Sequence, residues 1–311
     1  MNKSVQLLIV VFAISAIATF SCKEKQPTPD PTEKLNFFLS IDDAAKQVAF
    51  SAMINYGDVF QWDFGDGQTS NEKNPVHVYA EGGTYDVKLS VTGKGQTKEI
   101  TKEVSVALTN MLMLAGDNSR FPNGKKWRMS VSHSSTDKFA ESDANFTTVT
   151  TLAEGILGMG LGLSEVYEDE YLFKSDGTYQ QLPKHGGAFA STLYAMATTG
   201  GASIIKVASE KEYEFLCYAA YNPETDATYT FIPEKYDFTI ATAYGPMTYK
   251  DVMTLDFSGA AFIGFMDHTR KCIVRNLTPT SMQLVLFASL EPTGATTLPT
   301  HAMWITFEVV R

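Results

Sequence analysis

The sequence contains only three cysteines and three tryptophans in 311 residues, and acidic residues outnumber basic ones by 35 to 25. A scaffold held by disulfides would need more cysteine, and a chain of this length does not need such a scaffold. The formal net charge of −10 excludes nucleic acid as a partner, because binding to phosphates requires a dense basic face. The protein is therefore expected to act on other kinds of partner.

Common catalytic and metal-binding motifs are absent as well. The five histidines are scattered, and none has the spacing of a His-Glu-x-x-His metal site. There is no Gly-x-Ser-x-Gly nucleophile elbow and no glycine loop for phosphate. Asp267-His268 stands alone, which is more typical of a surface turn than of half a catalytic dyad. We expect no cofactor, no metal site and no enzymatic activity.

The residues that are present are typical of a globular β protein. Hydrophobic residues make up 44% of the chain and charged residues 19%, a composition found in folded domains. The 14 Tyr and 20 Phe favour strands. The length allows about two domains.

The N-terminus has the features of a bacterial export signal. Lys3 supplies a positive charge, and residues 7–18 form an apolar run that is too short to span a membrane but suits a signal peptide. Small residues then precede Cys22, in an order that resembles a bacterial lipobox. We predict a signal peptide over 1–21 and lipidation of Cys22; the alternative is a plain secretory signal with an incidental cysteine.

Residues 22–34 are predicted to form a tether behind the lipidated cysteine. Prolines at positions 27, 29 and 31 favour an extended and semi-stiff spacer. Lys23-Glu24-Lys25 resembles the charged tether of surface lipoproteins from Bacteroidota. That resemblance implies an outer-membrane lipoprotein that faces the cell exterior.

Residues 35–106 show the period-two alternation of an antiparallel sandwich. Phe60, Trp62 and Phe64 alternate with polar residues, so Trp62 is predicted to lie in the core. Gly65-Asp66-Gly67 predicts a hairpin turn, because Asp-Gly tolerates positive φ angles. Asp63 and Asp66 are expected to stabilise that turn rather than to bind calcium.

The run Trp62-Asp63-Phe64-Gly65-Asp66-Gly67 resembles the signature of the polycystic-kidney-disease (PKD) domain. The motifs Pro75-x-His77-x-Tyr79 and Gly83-Thr84-Tyr85 follow in the order of that family. The resemblance covers roughly 70 residues and implies an immunoglobulin-like sandwich. It further implies a spacer or an interaction module on a secreted protein.

Residues 107–311 are expected to carry the function, on a larger β-sandwich or jelly-roll-like domain. No long stretch has helical periodicity. Residues 152–162 are apolar and glycine-rich, which fits either a mobile loop or a tightly packed segment. The strand-like runs are 171–173, 177–181, 203–207, 213–220, 227–232, 252–257, 261–265, 272–277, 282–288 and 303–310.

This second domain resembles the C-terminal halves of PKD-containing lipoproteins from glycan-utilisation systems of Bacteroidota. The resemblance lies in Gly124-Lys125-Lys126-Trp127, in residues 167–179 and in the closing Ala302-Met303-Trp304 strand. It implies a surface glycan-binding protein that captures polysaccharide beside a TonB-dependent transporter. Residues 133–162 contain no tryptophan, whereas a tryptophan-rich loop is frequent at this place in such relatives.

Sugar binding needs a flat aromatic face and planar polar groups, so the candidates are aromatic residues outside the predicted core. Trp127 shares a face with Met129 and is expected in the core. Trp304 alternates with the apolar face of the last strand and is expected on an outward or groove-lining face. The candidate glycan-binding residues are Trp304, Tyr218, Tyr194, Tyr221 and Tyr244.

Glu168 and Glu170 are the local candidates for a catalytic pair. On a strand they would project from one face with Cα atoms about 6–7 Å apart, close to the carboxyl spacing of retaining glycosidases. A solvated charge cluster is the favoured interpretation. Cys217 and Cys272 either form a disulfide or stay free, and a free buried cysteine is favoured by the apolar face around Cys217.

We therefore predict a non-catalytic, lipid-anchored surface protein that binds polysaccharide. The missing tryptophan-rich loop favours the main alternative, a cell-surface protein that assembles with other proteins and has no glycan site. A glycoside hydrolase is the third hypothesis.

Overall fold

The computed structural model describes residues 34–54, 57–117, 120–292 and 297–310. The predicted signal peptide, Cys22 and nearly all of the tether lie outside these ranges. In the part of the chain that is described, no helix is long and apolar enough to cross a membrane.

Seven strands form the first unit, an antiparallel sandwich. The strands are β1 (Asn36–Asp42), β2 (Gln47–Met53), β3 (Val59–Asp63), β4 (Thr69–Ser70), β5 (Val76–Val78), β6 (Gly83–Gly93) and β7 (Gln96–Val106). One sheet has the order β1-β2-β5 and the other β4-β3-β6-β7.

Trp62 lies at the centre of this sandwich, as its alternation with Phe60 predicts. Its side chain is fully buried, and its indole N–H donates to Glu72 O at 2.9 Å. Its ring centroid lies 5.1 Å from that of Phe37 and 5.2 Å from that of Phe50. The predicted core role of Trp62 is confirmed.

The turn after β3 is held by its own carboxylates. Asp63 Oδ1 accepts a hydrogen bond from Gly65 N at 2.9 Å, and Asp66 Oδ1 accepts one from Gln68 N at 3.0 Å. The second oxygen of Asp66 lies 2.8 Å from His77 Nε2. Both aspartates therefore stabilise the turn, as predicted.

The second unit contains thirteen strands and two short α-helices within the described ranges. The strands are β8 (Lys125–Met129), β9 (Lys138–Glu141), β10 (Thr148–Thr151), β11 (Glu170–Phe173), β12 (Tyr179–Leu182), β13 (Gly187–Ser191), β14 (Ile204–Val207), β15 (Leu216–Ala220), β16 (Tyr229–Thr242), β17 (Gly245–Phe257), β18 (Cys272–Leu277), β19 (Ser281–Ala288) and β20 (His301–Val309). The helices are α1 (Asn110–Ala115) and α2 (Thr192–Thr199).

A large antiparallel sheet and a small one face each other across the main core. The large sheet follows the path β12-β11-β8-β20-β19-β18-β17-β16, with β9 paired to β20 and β10 paired to β9. The small sheet has the order β13-β15-β14. The main core contains Phe189 and Leu216 from the small sheet and Met303 and Ile305 from the large one. The unit is therefore an all-β sandwich, as the recurring strand-like runs predict.

The large sheet is covered on both faces along β20. Met303 and Ile305 belong to the main core, whereas Ala302 and Trp304 belong to a second cluster on the other face. The long β16–β17 hairpin contributes Phe238 to that second cluster. Alternation along β20 therefore separates two buried faces rather than a buried face from a wet one.

Three local expectations need correction or completion. Residues 261–265 do not form a strand; Gly264 has φ +69°, and a Cβ there would lie 2.6 Å from Phe307 Cζ, so this buried segment follows an irregular path. Residues 152–162 contain a π-helical turn (Ile156–Gly160) with Leu157 fully buried, which favours the packed alternative. Helix α2 was not predicted because it is only two turns long.

Cys217 and Cys272 are both free and buried. Cys217 lies in a small cluster on the outer face of the small sheet, whereas Cys272 belongs to the main core. Burial raises the pKa of the Cys217 thiol to about 11. The favoured alternative, an inert buried thiol, describes both residues.

Candidate functional site

The five predicted aromatic residues do not form one row. Trp304 is 8% exposed and Tyr218 is 2% exposed, whereas Tyr244 is 50% exposed. Tyr194 and Tyr221 are half-buried. Only the last three can present part of a ring to a ligand.

Trp304 lies on the face opposite Met303, as predicted, but its ring is already covered. The guanidinium carbon of Arg275 on β18 lies 3.7 Å from the ring centroid, and Nζ of Lys138 on β9 lies 4.1 Å from it. The indole N–H is enclosed and has no acceptor among the described residues. The expected outward or groove-lining platform at Trp304 is therefore corrected to a buried ring under two cations.

Tyr218 points into the interior from β15. Its ring lies so close to Gly187 that a Cβ at that glycine would be 2.6 Å from Tyr218 Cε1. Burial raises the pKa of Tyr218 to about 12. Its expected role as a ligand contact is corrected to a packing role in the main core.

Tyr221 is fixed by its hydroxyl at the edge of the small sheet. The hydroxyl donates to Gln181 Oε1 at 2.6 Å, and the ring meets Phe262 edge-on at 5.0 Å between centroids. Burial raises the pKa of this hydroxyl to about 12. Tyr221 therefore offers the side of a ring rather than a free hydroxyl.

Tyr194 lies in the first turn of α2, beside a polar loop. Its ring meets the ring of His268 edge-on, with centroids 4.9 Å apart. The guanidinium of Arg270 lies 5.8 Å from its ring centroid, and Arg270 Nη2 donates to its hydroxyl at 3.3 Å. We name Tyr194, His268 and Arg270 the Tyr194 cluster.

Buried polar contacts hold this cluster in place. The carboxyl of Asp267 accepts hydrogen bonds from Ser289 N at 2.8 Å and from His268 N at 2.6 Å. Ser191 caps α2 by accepting a bond from Tyr194 N, and its hydroxyl donates to Ser289 O at 2.7 Å. These bonds join the start of α2, the loop before β18 and the end of β19.

Asp267 is 1% exposed, so the expectation of a surface turn at Asp267-His268 is corrected. Burial raises the pKa of the Asp267 carboxyl to about 6. Burial and the charge of Arg270 lower the pKa of His268, so its imidazole is neutral at pH 7. Asp267 acts as a positioning residue for the backbone of His268.

Two nitrogens of the Tyr194 cluster lack a partner within the described ranges. His268 Nε2 and Arg270 Nη1 are both enclosed, and neither has a hydrogen-bond acceptor there. Enclosed polar nitrogens without a hydrogen-bond partner are rare in folded proteins, and water normally satisfies them. Because both atoms are enclosed, water inside the fold is the partner that fits them, and a ligand can reach only the partly exposed parts of these three side chains.

Tyr244 lies at the same end of the unit, connected to the cluster through β19 and the residues after it. It occupies the turn between β16 and β17, and its hydroxyl donates to Glu291 Oε2 at 3.4 Å. Glu291 follows Ser289, the residue bonded to Asp267, by two positions. The exposed ring of Tyr244 and the carboxylate of Glu291 are thus linked to the half-buried Tyr194 cluster through residues 289–291.

The acidic run before β11 does not form a catalytic pair. Glu168 pairs with His185 at 2.9 Å, whereas Glu170 pairs with Lys126 and Lys184, each at 3.0 Å. Each carboxylate is thus bonded to basic side chains of its own, His185 for Glu168 and two lysines for Glu170. Within the described ranges no group of three or more His, Cys, Asp or Glu residues is placed to hold a metal ion.

Asp169, between these two glutamates, is expected to make stability depend on pH. It is 3% exposed, and burial raises its pKa from 3.8 to about 7. The folded chain therefore keeps a proton that the unfolded chain releases above pH 4, so this group lowers stability as pH rises from 4 to 7. We expect Asp169→Asn to raise the free energy of unfolding at pH 8, by up to about 4 kcal/mol.

Urea unfolding of both proteins between pH 4 and pH 8 measures this effect. The difference between Asp169→Asn and the unchanged chain should vanish near pH 4. Asp226→Asn, at an exposed position, should give no difference at any pH. An Asp169→Asn difference that is the same at pH 4 and pH 8 would rule out titration of Asp169 as its cause.

A buried polar network around Asp137 was not foreseen from the sequence. His133 and Asp137 are completely enclosed, and Asp137 Oδ2 lies 3.0 Å from His133 Nδ1. His133 Nε2 lies 2.8 Å from the hydroxyl of Tyr167. The only sequence signal was a short polar run at 132–137 between two apolar stretches. Because the side chains are enclosed, the network joins loops to β20 rather than contacting a ligand.

The Gly-Lys-Lys-Trp segment at 124–127 also has a structural explanation. Lys125 Nζ donates to Met113 O and to Pro279 O, both at 2.6 Å. Trp127 is fully buried, and its indole N–H donates to Leu114 O at 2.8 Å. Burial lowers the pKa of Lys125 to about 8. The segment therefore fixes α1 against the large sheet.

A groove runs between the two units beside this segment. Two cavities, of about 350 and 660 Å³, share Leu112, Gly116 and Asp117 in their walls. Arg120 in the groove pairs with Glu103 of β7 at 2.6 Å. Both cations of the groove, Arg120 and Lys125, are therefore already bonded to protein groups.

Comparison with known proteins identifies the first unit. The family model described as "PKD domain" matches residues 39–108. Residues 39–108 are a PKD domain. A 46-residue stretch is 56% identical to collagenase ColA of Bacillus cereus, and a 60-residue stretch is 40% identical to pre-pro-metalloprotease PrtV of Vibrio cholerae. The matched stretches cover 14% and 19% of this chain but only 5% and 6% of those relatives, so they assign it no protease activity.

The PKD1 domain of Vibrio anguillarum Epp is 32% identical and covers 24% of this chain and 94% of that domain, with a TM-score of 0.22. A structure of carbohydrate-binding modules from the β-sandwich superfamily is 15% identical and covers 91% of this chain and 94% of that one, with a TM-score of 0.23. Neither similarity assigns a function to this chain.

Proposed function

We propose that this chain is a non-catalytic, lipid-anchored surface protein that captures polysaccharide for an outer-membrane uptake system. The Tyr194 cluster is the observation that carries the proposal. A sugar offers C–H groups to an aromatic ring and hydroxyl oxygens to planar donors. Tyr194 supplies part of a ring, and the half-buried guanidinium of Arg270 beside it supplies planar donors. The exposed ring of Tyr244 supplies a second contact for a long polymer.

The other parts of the chain support capture at a surface. Lipidation of Cys22 would anchor the protein, since two or more acyl chains hold a protein firmly on a membrane. The tether over 22–34 and the PKD domain would raise residues 107–311 above the lipid. Weak affinity at each site suffices, because many anchored copies bind one polymer and gain through effective concentration. A TonB-dependent transporter would then receive the captured glycan.

Affinity electrophoresis tests this function. The chain lacking residues 1–22, which keeps every described residue, is run through native gels that each contain one polysaccharide. We expect at least one polysaccharide to retard it. Tyr194→Ala and Tyr244→Ala should each weaken binding about five- to tenfold, since an aromatic contact contributes about 1 kcal/mol.

Phe38→Ala is the matched control, because it removes an aromatic ring that is 59% exposed on β1 of the first unit. Its mobility should equal that of the unchanged chain in every gel. Absence of retardation by a broad panel would contradict glycan binding. Retardation that neither tyrosine substitution reduces would place the site elsewhere.

A second candidate function, docking to another protein, is favoured by the outer face of the β1-β2-β5 sheet. Phe38, Met53, Val76 and Val78 on this face are 47–59% exposed. A flat apolar sheet face of this kind is typical of protein contacts rather than of sugar binding. If no polysaccharide retards the chain in the gels, cross-linking on intact cells should recover a protein partner. Phe38→Ser should then abolish that recovery.

A further inference from the structure

We propose that the groove between the two units is a further binding site, which takes a stretch of a neutral, hydroxyl-rich polysaccharide. This inference rests on the proposed function, because it gives the captured polymer a second place to bind and names its chemical class. It also gives the PKD domain a part in binding, since that domain supplies one wall of the groove.

The groove has the size and the position of a ligand site. Its two cavities, of about 350 and 660 Å³, adjoin at Leu112, Gly116 and Asp117. A cleft of about 300–1,000 Å³ at a junction between domains is a usual place for a ligand. Residues of the PKD domain line one side, and residues of α1 and of the β18–β19 turn line the other. A stretch of polymer is therefore contacted from both units.

An aromatic ring lies in the wall of each cavity. Half-buried Tyr85 lines the larger cavity and half-buried Phe121 the smaller one. The ring of Tyr85 is stacked on Tyr79 with centroids 4.1 Å apart, and its hydroxyl donates to Glu81 O at 2.8 Å. Phe121 packs directly on Gly116, where a Cβ would lie 2.5 Å from Phe121 Cδ2. Both rings are thus fixed from behind, and their exposed parts can contact the C–H groups of a sugar.

The side chains of the groove offer acceptors rather than free cations. Its walls contain partly or fully exposed carboxylates, those of Asp66, Glu81, Glu103 and Asp117. The basic residues in the walls are already bonded, Arg120 to Glu103 and Lys125 to two backbone carbonyls. Sugar hydroxyls can donate to carboxylates, whereas an anionic polymer would be repelled by them. The groove therefore favours a polymer without negative charge.

A cationic ligand is the rival that these carboxylates would also attract. Asp66 Oδ2 lies 2.8 Å from His77 Nε2, and Asp117 Oδ1 accepts from Arg120 N at 2.8 Å. Glu103 has the guanidinium of Arg120 at 2.6 Å. These carboxylates thus have donors within the protein, and each keeps further lone pairs for a hydroxyl group. The two rings beside them favour the sugar, which matches both kinds of group at once.

Oxidation of side chains by hydroxyl radicals, measured by mass spectrometry, reports which rings a polymer covers. The chain lacking residues 1–22 is treated alone, with xyloglucan, galactomannan or a soluble β-glucan, and with the carboxymethylated form of each. We expect a neutral polymer to lower the oxidation rates of Tyr85 and Phe121 about twofold or more, since a bound ligand covers most of a groove. Its carboxymethylated form should leave both rates unchanged. Phe38, which is exposed and does not line the groove, is the internal control.

Thr280→Trp tests the groove by filling it. Thr280 lies in the wall of the smaller cavity and is exposed, so a larger side chain occupies the cavity without entering the core. The variant should bind the protective polymer about tenfold more weakly, because one of two sites on the chain is lost. Thr280→Ser, which leaves the cavity open, should bind like the unchanged chain. Thermal melts confirm that both variants are folded.

The outcomes separate this inference from the proposed function. Protection of Tyr194 and Tyr244 without protection of Tyr85 and Phe121 would overturn the inference and leave glycan capture standing, and full affinity of Thr280→Trp would do the same. Protection of the groove rings by oligolysine alone, lost at high salt, would identify a cation site and also overturn it. Absence of protection at all four rings with every polysaccharide would overturn the proposed function as well.

Discussion

Replacement of Asp137 by alanine is expected to lower the free energy of unfolding at pH 7 by about 4 kcal/mol, a large loss for one residue. Asp137 is fully buried and accepts from Ser134 Oγ at 2.6 Å and from Gln283 Nε2 at 2.8 Å. It also accepts from the N–H and the hydroxyl of Thr306, at 2.8 and 2.6 Å. Without the carboxylate, these enclosed donors and His133 lose their common acceptor.

The pH dependence identifies the carboxylate as the cause. Hydrogen bonds from His133, Ser134, Thr306 and Gln283 outweigh burial and lower the pKa of Asp137 from 3.8 to about 2. A lowered carboxyl pKa contributes stability that is fully present above pH 4 and is lost as pH falls from 4 to 2. The difference between Asp137→Ala and the unchanged chain should therefore shrink over that range.

Urea unfolding followed by circular dichroism at several pH values measures both effects. Asp226→Ala, at an exposed position, is the control and should change stability by less than about 0.5 kcal/mol. Asp137→Asn should also destabilise, since its amide N–H₂ would meet donors rather than acceptors. A loss below about 1 kcal/mol for Asp137→Ala would show that the loops do not depend on this network.

The sequence predicts the architecture well where one side of a strand is exposed to solvent. In the PKD domain, polar residues alternate with Phe60 and Trp62, and the structure buries the predicted side. Along β20 the same rule separates Met303 from Trp304 but cannot reveal exposure, because both sides are covered. The β16–β17 hairpin that covers the second face is distant from β20 in sequence, so no local pattern in β20 predicts it.

The candidate site was only partly foreseeable for a related reason. Tyr194 and Tyr244 were selected because they lie in loop-like sequence, and the structure leaves both at least partly accessible. The sequence does not single out Arg270 and His268, because they approach Tyr194 only in the folded chain. Arg270 lies 76 positions after Tyr194 in the sequence. The signal that exists is a polar run at 267–271, directly after an apolar stretch, which indicates a chain leaving the core.

Replacement of Trp127 by alanine is the second large expected effect, a loss of about 4 kcal/mol in the free energy of unfolding. Its indole is fully buried in the main core, and its N–H holds Leu114 O at the end of α1. Trp127→Phe keeps most of the volume but leaves that carbonyl without its donor, so it should cost about 1–2 kcal/mol. The two variants thus separate packing from the hydrogen bond.

Urea unfolding monitored by near-ultraviolet circular dichroism measures these losses, with Met159→Ala as the control. Met159 is 85% exposed, so its truncation should change stability by less than about 0.5 kcal/mol. At 15 °C, where the milder Trp127→Phe variant stays folded, its affinity for any retarding polysaccharide should equal that of the unchanged chain. A folded Trp127→Phe protein with weakened binding would show that this segment serves the ligand. Loss of stability alone would show that Gly124-Lys125-Lys126-Trp127 serves to anchor α1.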